Sequence, residues 1–127
     1  MFENLDVFKI SHAMAKHAGQ RQSLIAQNVA NADTPGYIAR DVPAFKTTYE
    51  NDGRNLQRAT RSRHLNGMSV NGNATPTEQH TMASPDGNTV SIEQEMLKAT
   101  DTIRQHDRAI AIYKSSLGIL RSSLGRR

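Results

Sequence analysis

Histidine and arginine are the residue types in this chain best placed to do chemistry. The histidines are His12, His17, His64, His80 and His106. A zinc site on one helix needs two ligands three or four residues apart, so that both nitrogens face the same side. His12 and His17 are five apart, and no other pair is closer, so the spacing does not assemble a metal site. The chain has no cysteine, which removes thiolate ligands and disulfides together. Arg54, Arg58, Arg61 and Arg63 place four arginines in ten residues, a density suited to phosphate contacts. Yet the run holds no aromatic residue; the nearest upstream are Phe45 and Tyr49, and stacking platforms for single strands interleave such rings. The run therefore reads as a solvated loop or a contact for an acidic neighbour. No Gly-x-Gly-x-x-Gly, no P-loop pattern and no Gly-x-Ser-x-Gly occurs, and the carboxylates are dispersed rather than paired in an apolar setting. Neither catalytic nor cofactor-binding nor metal-binding residues are expected, and the chain does not read as an enzyme.

The elements that would have to position any chemistry point instead to self-association. Val7, Ile10, Met14, Ala18, Ile25, Val29 and Ala32 recur at helical steps and predict a helix over 4–32 with one alanine-rich apolar face. A second helix is predicted from Ile92 to the end of the chain. Ser91-Ile92-Glu93-Gln94 matches a capping box. Beyond it, Met96, Ile103, Ile110, Leu117 and Leu124 fall on one heptad position, and Ile92, Ala99, His106, Tyr113 and Leu120 on the other. His106 thus sits in a seam, where a polar residue helps to set register. Each stripe needs a partner, because helix stability comes mainly from packing. The expectation is that the two helices pair lengthwise, with Met14, Ala18, Ile25 and Val29 against Met96, Ile103, Ile110, Leu117 and Leu124.

Between them, residues 38–90 are rich in Gly, Asn, Ser, Thr and Pro, with single large apolar residues. Short strands have room near Ile38–Val42 and Gly67–Val70. So long a segment without regular structure is unusual inside a compact domain, and it is expected to be partly disordered. The fold class is therefore mainly α: two long terminal helices paired as a coiled coil around an irregular middle. The divisions are 1–37, 38–90 and 91–127, with the two helices forming one axial domain.

Composition agrees with a thin core. Hydrophobic residues make up 36% of 127, against about 45–50% for average soluble domains. Mean hydropathy is −0.64. The net charge of +4 suits a solvated surface. The N-terminal Met1-Phe2-Glu3-Asn4-Leu5-Asp6 is acidic and lacks the apolar run of a secretory signal, so any export is expected to use another route.

Where the first helix ends, the chain reads Asn28-Val29-Ala30-Asn31-Ala32-Asp33-Thr34-Pro35-Gly36-Tyr37. Pro35 fixes φ and Gly36 supplies positive φ, which predicts a type II turn over Thr34–Tyr37. Asn28, Asn31 and Asp33 are placed to cap the helix end. The turn accounts for Pro35 and Gly36, but not for Tyr37 at once after it or for Asn31 three residues before Thr34. This string, with Leu24-Ile25-Ala26-Gln27 before it, resembles the N-terminal signature of the bacterial flagellar rod, hook and hook-associated proteins. Ala30, Asn31, Thr34, Gly36 and Tyr37 fit that signature, and Pro35 belongs to the form found here. Ala39-Arg40-Asp41, Asp86-Gly87-Asn88-Thr89-Val90 and Glu95-Met96 resemble in particular the short subunits of the proximal rod. The likeness spans both ends, about half of the chain.

The resemblance implies a structural subunit of the proximal rod of the flagellar basal body, packed helically into a drive shaft and export channel. It implies Ala30, Asn31, Thr34, Pro35, Gly36 and Tyr37 as the assembly motif. The implied partners are further copies of the chain, other rod proteins (FlgC-, FlgF- and FlgG-like), a FliE-like adaptor at the rod base, and the flagellar type III export gate. It also implies a periplasmic rod location reached without a cleaved signal. The alternative from the residues alone is a small basic coiled-coil nucleic-acid-binding or regulatory protein that uses the arginine run; a weaker one is an export chaperone.

Overall fold

The computed structural model describes residues 2–54, 73–80 and 82–125. The arginine run beyond Arg54, His64 and the strand expected at Gly67–Val70 lie outside them. The order is α1 (Phe2–Ala30), β1 (Arg40–Asp41), α2 (Phe45–Arg54), β2 (Thr77–Glu78) and α3 (Ile92–Leu124). Both expected long helices form, at 29 and 33 residues, and α3 extends about 50 Å. They run antiparallel: Asn28 meets Glu95 near one end of the pair, and the Phe8 and Tyr113 rings meet edge to face at 5.2 Å towards the other. No described helix is long and apolar enough to cross a membrane.

Strand β1 falls inside the expected Ile38–Val42 and pairs antiparallel with β2, Arg40 opposite Glu78 and Asp41 opposite Thr77. The ribbon lies on α1, where Leu24, Val42 and Ala74 form a small buried apolar cluster. Gln20 holds its edge. Its amide donates to the Ala74 carbonyl at 2.6 Å and its Oε1 accepts the Ala74 N–H at 3.0 Å, as a neighbouring strand would. Helix α2 is an addition to the segment read as irregular. Its first residue, Phe45, meets the His17 ring on α1 at 5.6 Å.

The helix interface differs from the heptad expectation on α3. Ala18 and Ile25 of the α1 stripe are buried and Met14 is half-buried, but Val29 is exposed. On α3 the buried line is Glu95, Thr102 and Ala109. Met96, Ile103 and Leu124 are 64%, 53% and 84% exposed, while Ile110 and Leu117 are half-buried. The buried line precedes the expected seam by one residue, a rotation of about 100°. The physical reason is on α1. Its inner face offers alanines and the Asn28 amide, so small and hydrogen-bonding side chains of α3 fit closely there and the bulky ones fall to the flank. The largest fully buried side chains are His17, Glu95, Asn28 and Thr102, none of them apolar.

The capping box at Ser91 does not form. Ser91 is extended, as an N-cap should be, but makes no side-chain cap hydrogen bond. The Glu95 N–H bonds the Ser91 carbonyl at 2.9 Å. Glu93 and Glu95 in the first turn supply the negative charge that a helix N-terminus favours.

Candidate assembly site

Helix α1 ends where Pro35 forbids continuation. The Tyr37 N–H donates to the Thr34 carbonyl at 3.2 Å and Gly36 takes φ +71°, as a type II turn demands. Asn31 prepares the turn from three residues upstream. Its amide donates to the Gln27 carbonyl at 2.8 Å, and its Oδ1 accepts the Thr34 hydroxyl at 3.3 Å. Ala30, Thr34, Pro35 and Gly36 are exposed, and Asn31 and Tyr37 are half-buried. The six motif residues therefore form one contiguous bend with an open outer side.

A second turn grips the inner side. Gly87, with φ +82°, lies so close that a Cβ there would stand 3.5 Å from the Gly36 Cα. The Gly36 N–H donates to the Asp86 carbonyl and the Thr89 N–H to the Tyr37 carbonyl, both at 3.0 Å. The Ala39 N–H donates to the Thr89 hydroxyl at 2.8 Å. Asn88, 2% exposed, holds the bend that follows α1. Its amide donates to the carbonyls of Asn31, Ala32 and Thr34 at 3.0, 2.8 and 2.9 Å. Capping was expected of Asn28, Asn31 and Asp33. Asn31 does so at the Gln27 carbonyl, while Asn88, from more than fifty residues away, ties down the carbonyls of the bend beyond the helix. The signal in the sequence is Asp86-Gly87-Asn88, a string that marks a turn but names no partner for it.

Behind the turn lies a buried polar network. Asn28, fully buried, uses all four of its hydrogen-bonding positions. It donates to the Arg40 carbonyl at 2.8 Å and to Glu95 Oε2 at 3.1 Å, and accepts the Arg40 N–H at 3.0 Å and the Tyr37 hydroxyl at 3.3 Å. This contact is why Tyr37 follows the turn at once: its phenol spans from the bend to α1. Glu95 Oε1 accepts Lys98 Nζ at 2.8 Å, and Lys98 lies 3.6 Å from Asp41. Arg21 grips Asp41 with two hydrogen bonds of 2.9 Å. The network thus ties α1, β1 and α3 together beside the turn.

Its electrostatics are set by burial and by these pairs. Burial opposes ionisation of Asp41, but the Arg21 hydrogen bonds and charge, the Val42 N–H and the Lys98 charge outweigh it and hold the carboxyl below its ordinary pKa. The hydrogen bond to Asp41 raises Arg21 against the effect of burial. His17 is lowered, chiefly by burial and further by Arg21, although Nε2 bonds the Pro43 carbonyl at 2.8 Å. Its Nδ1 is buried without a hydrogen-bond partner.

Among the described residues no three His, Asp or Glu side chains gather as metal ligands. On the flank of the helix pair, Ala18, Gly19, Gln22, Thr102, Ile103 and His106 line an open, mostly apolar groove of about 310 Å³. His106 lines this groove rather than filling a closed seam.

Residues 15–37, from the inner face of α1 through the turn, match the family described as Flagella basal body rod protein. The chain is 28% identical to the flagellar basal body rod protein FlgB of Agrobacterium fabrum, over 87% of each chain. It is 31% identical to FlgB of Salmonella typhimurium, over 77% of this chain and 78% of that one. It is 34% identical to FlgB of Cereibacter sphaeroides, over 79% of this chain and 73% of that one.

Proposed function

The chain belongs to the FlgB family of flagellar basal body rod proteins and is a structural subunit of the rod, and from that premise we propose how its geometry serves the assembly. The subunit occupies the proximal segment of a periplasmic rod and acts without enzymatic chemistry. It packs helically with copies of itself and with FlgC-, FlgF- and FlgG-like rod proteins, on a FliE-like base. It passes the flagellar type III export gate without losing a signal segment. Residues 1–37 and 91–127 form the axial domain, and the ribbon of β1 and β2 packs on its α1.

One observation carries this reading: the matched segment ends in an exposed bend that a second turn and a buried network hold in a single shape. Ala30, Asn31, Thr34, Pro35, Gly36 and Tyr37 direct the chain out of the helical layer at a fixed angle. The apolar residues that the helix pair leaves open serve contacts between subunits. Met96, Ile103 and Leu124 are exposed, as are Leu97, Ile112 and Ile119. Met96 and Ile103 lie on one side of α3 and Ile112 and Ile119 on another, so copies have apolar side chains to meet on more than one flank. Heterologous contacts through such a flank extend without closing, as a tube requires. Met14, Ala18 and Ile25, with Ile110 and Leu117, belong to the pairing of α1 with α3 instead, and Val29 is exposed.

Deletion of the gene, followed by motility assay and imaging of purified basal bodies, tests the reading. Loss of motility with rods missing their proximal segment, restored by the intact gene, is expected. Normal rods and swimming in the deletion strain would overturn it.

A further inference from the structure

We propose that the Asn31–Tyr37 bend is a composite element that sets only when Asp86–Val90 is seated against it, and that the Asn88 carboxamide couples the two. The proposal rests on the reading of the bend as the assembly motif and adds how its shape is controlled. The bend has local hydrogen bonds, Thr34 to Asn31 and Tyr37 to Thr34, but these are the weak bonds of an isolated turn in water. What fixes it comes from the other end of the chain. Three carbonyls of the bend just past the end of α1 converge on one amide, which has two hydrogens and so shares one of them. The orientation of that amide is itself fixed, because Asn88 Oδ1 accepts the Val90 N–H at 2.8 Å. The Gly36 and Thr89 hydrogen bonds close the clasp on either side.

Asn88 lies four residues before the first residue of α3. Its seating is therefore linked to the docking of the α3 N-terminus, where Glu95 meets Asn28. Closing so long a loop costs entropy that the bend alone does not recover. Pairing of α1 with α3 brings Asn88 to the carbonyls, and the bend then takes its final shape. A chain whose C-terminal third has not paired consequently presents an unset motif. The device makes assembly competence a property of the completed helix pair rather than of the N-terminal sequence.

The test uses the purified full chain and two variants, with amide hydrogen exchange read at Gly36, at Thr89 and, as an internal reference, at Ala18 in the middle of α1. Asn88→Asp keeps the acceptor for the Val90 N–H, so a residue serving only as a local turn former would tolerate it. It replaces the donor by a carboxylate facing three carbonyl oxygens. Expected is faster exchange at Gly36 and Thr89 by at least about tenfold at neutral pH, with Ala18 unchanged. Acidification that protonates the new carboxyl should narrow the gap to the parent measured at the same pH. Asn88→Ala should show a smaller loss in the same direction, and it decides the matter if Asn88→Asp fails to fold. Parental protection at Gly36 in Asn88→Asp, or in Asn88→Ala should that variant decide, would overturn the coupling. That failure would leave the rod reading untouched, since the latter is judged by rods and motility in the deletion strain.

Discussion

Asn28→Ala removes the side chain that joins α1, β1 and α3 behind the bend. Asn28 makes three hydrogen bonds to neutral groups, worth about 1 kcal/mol each, and one to the Glu95 carboxylate, worth about 2 kcal/mol. The gross loss is about 5 kcal/mol. Part returns, because Arg40 is exposed and Tyr37 half-buried, so water can reach their freed groups. Glu95 also keeps Lys98. A net destabilisation of about 3 kcal/mol remains, which lowers Tm by about 12 °C for a chain of this size. Thermal unfolding of the purified chain followed by far-UV circular dichroism measures it. Asn28→Asp sharpens the test at nearly constant volume. It retains the acceptor for Arg40 and Tyr37 but sets a second carboxylate beside Glu95, so it should destabilise more than alanine at neutral pH. Gln27→Ala, on the exposed side of the same turn of helix, should stay within about 0.5 kcal/mol of the parent. If Asn28→Ala behaves like Gln27→Ala, the network does not hold the helix pair in register.

Gly36→Ala meets no atom within 4 Å, so its effect comes from φ +71° alone, about 1–2 kcal/mol confined to the bend. Together with Pro35→Ala it should impair motility and rod formation while leaving the helical circular dichroism signal near the parent value; normal swarming in both would count against the role of the bend. Met96→Glu and Ile103→Glu alter exposed side chains, so the single chain should lose no more than about 0.5 kcal/mol. Incorporation into basal bodies should nevertheless fail, as read by motility and by blotting purified rods; normal incorporation would refute contact through this flank. Acid should destabilise the fold in two stages. His17, lowered in the fold, binds its proton more readily when unfolded, so its contribution is complete above pH 6.5 and is lost as pH falls from there towards its folded pKa. Asp41, also lowered, contributes fully above 3.8 and is lost as pH falls further through its folded value. Tm against pH for His17→Gln should lack the upper stage only, and retention of that stage would assign it elsewhere.

The two long helices and the turn were legible because each rests on local rules: apolar steps of three and four, a proline stop, and a glycine at positive φ. Their pairing was legible too, since neither stripe could remain alone. The rotational setting of α3 was not. Heptad arithmetic follows bulk and places Met96 and Ile103 inward, whereas the close approach of alanines and the Asn28 amide draws in Glu95 and Thr102 instead. Nothing in the local sequence marks Glu95 as a core residue, because its partners lie 67 residues away at Asn28 and on β1 through Lys98 and Asp41. The Ser91 hydroxyl matched a capping pattern but makes no cap hydrogen bond, and the Glu95 N–H on its carbonyl is the ordinary first bond of the helix. Asn88 escaped for the same reason as Glu95: its acceptors are remote carbonyls, and Asp-Gly-Asn alone says only turn. Helix α2 is only ten residues long, with a glycine near its end, shorter than a helix that stands without packing, and its neighbours are turn-forming residues.

The central claim is that α1 and α3 pair antiparallel within the assembled rod, and the absence of native cysteines makes it directly measurable. Phe8→Cys with Tyr113→Cys places two thiols where the rings now meet. Phe8→Cys with Ile92→Cys places them about 30 Å apart along α3. Treated with a short bis-maleimide in purified basal bodies, the first pair should give an internally closed monomer of altered gel mobility, and the second should not. Absence of the 8–113 bridge, or an equal yield of the 8–92 bridge, would contradict the pairing.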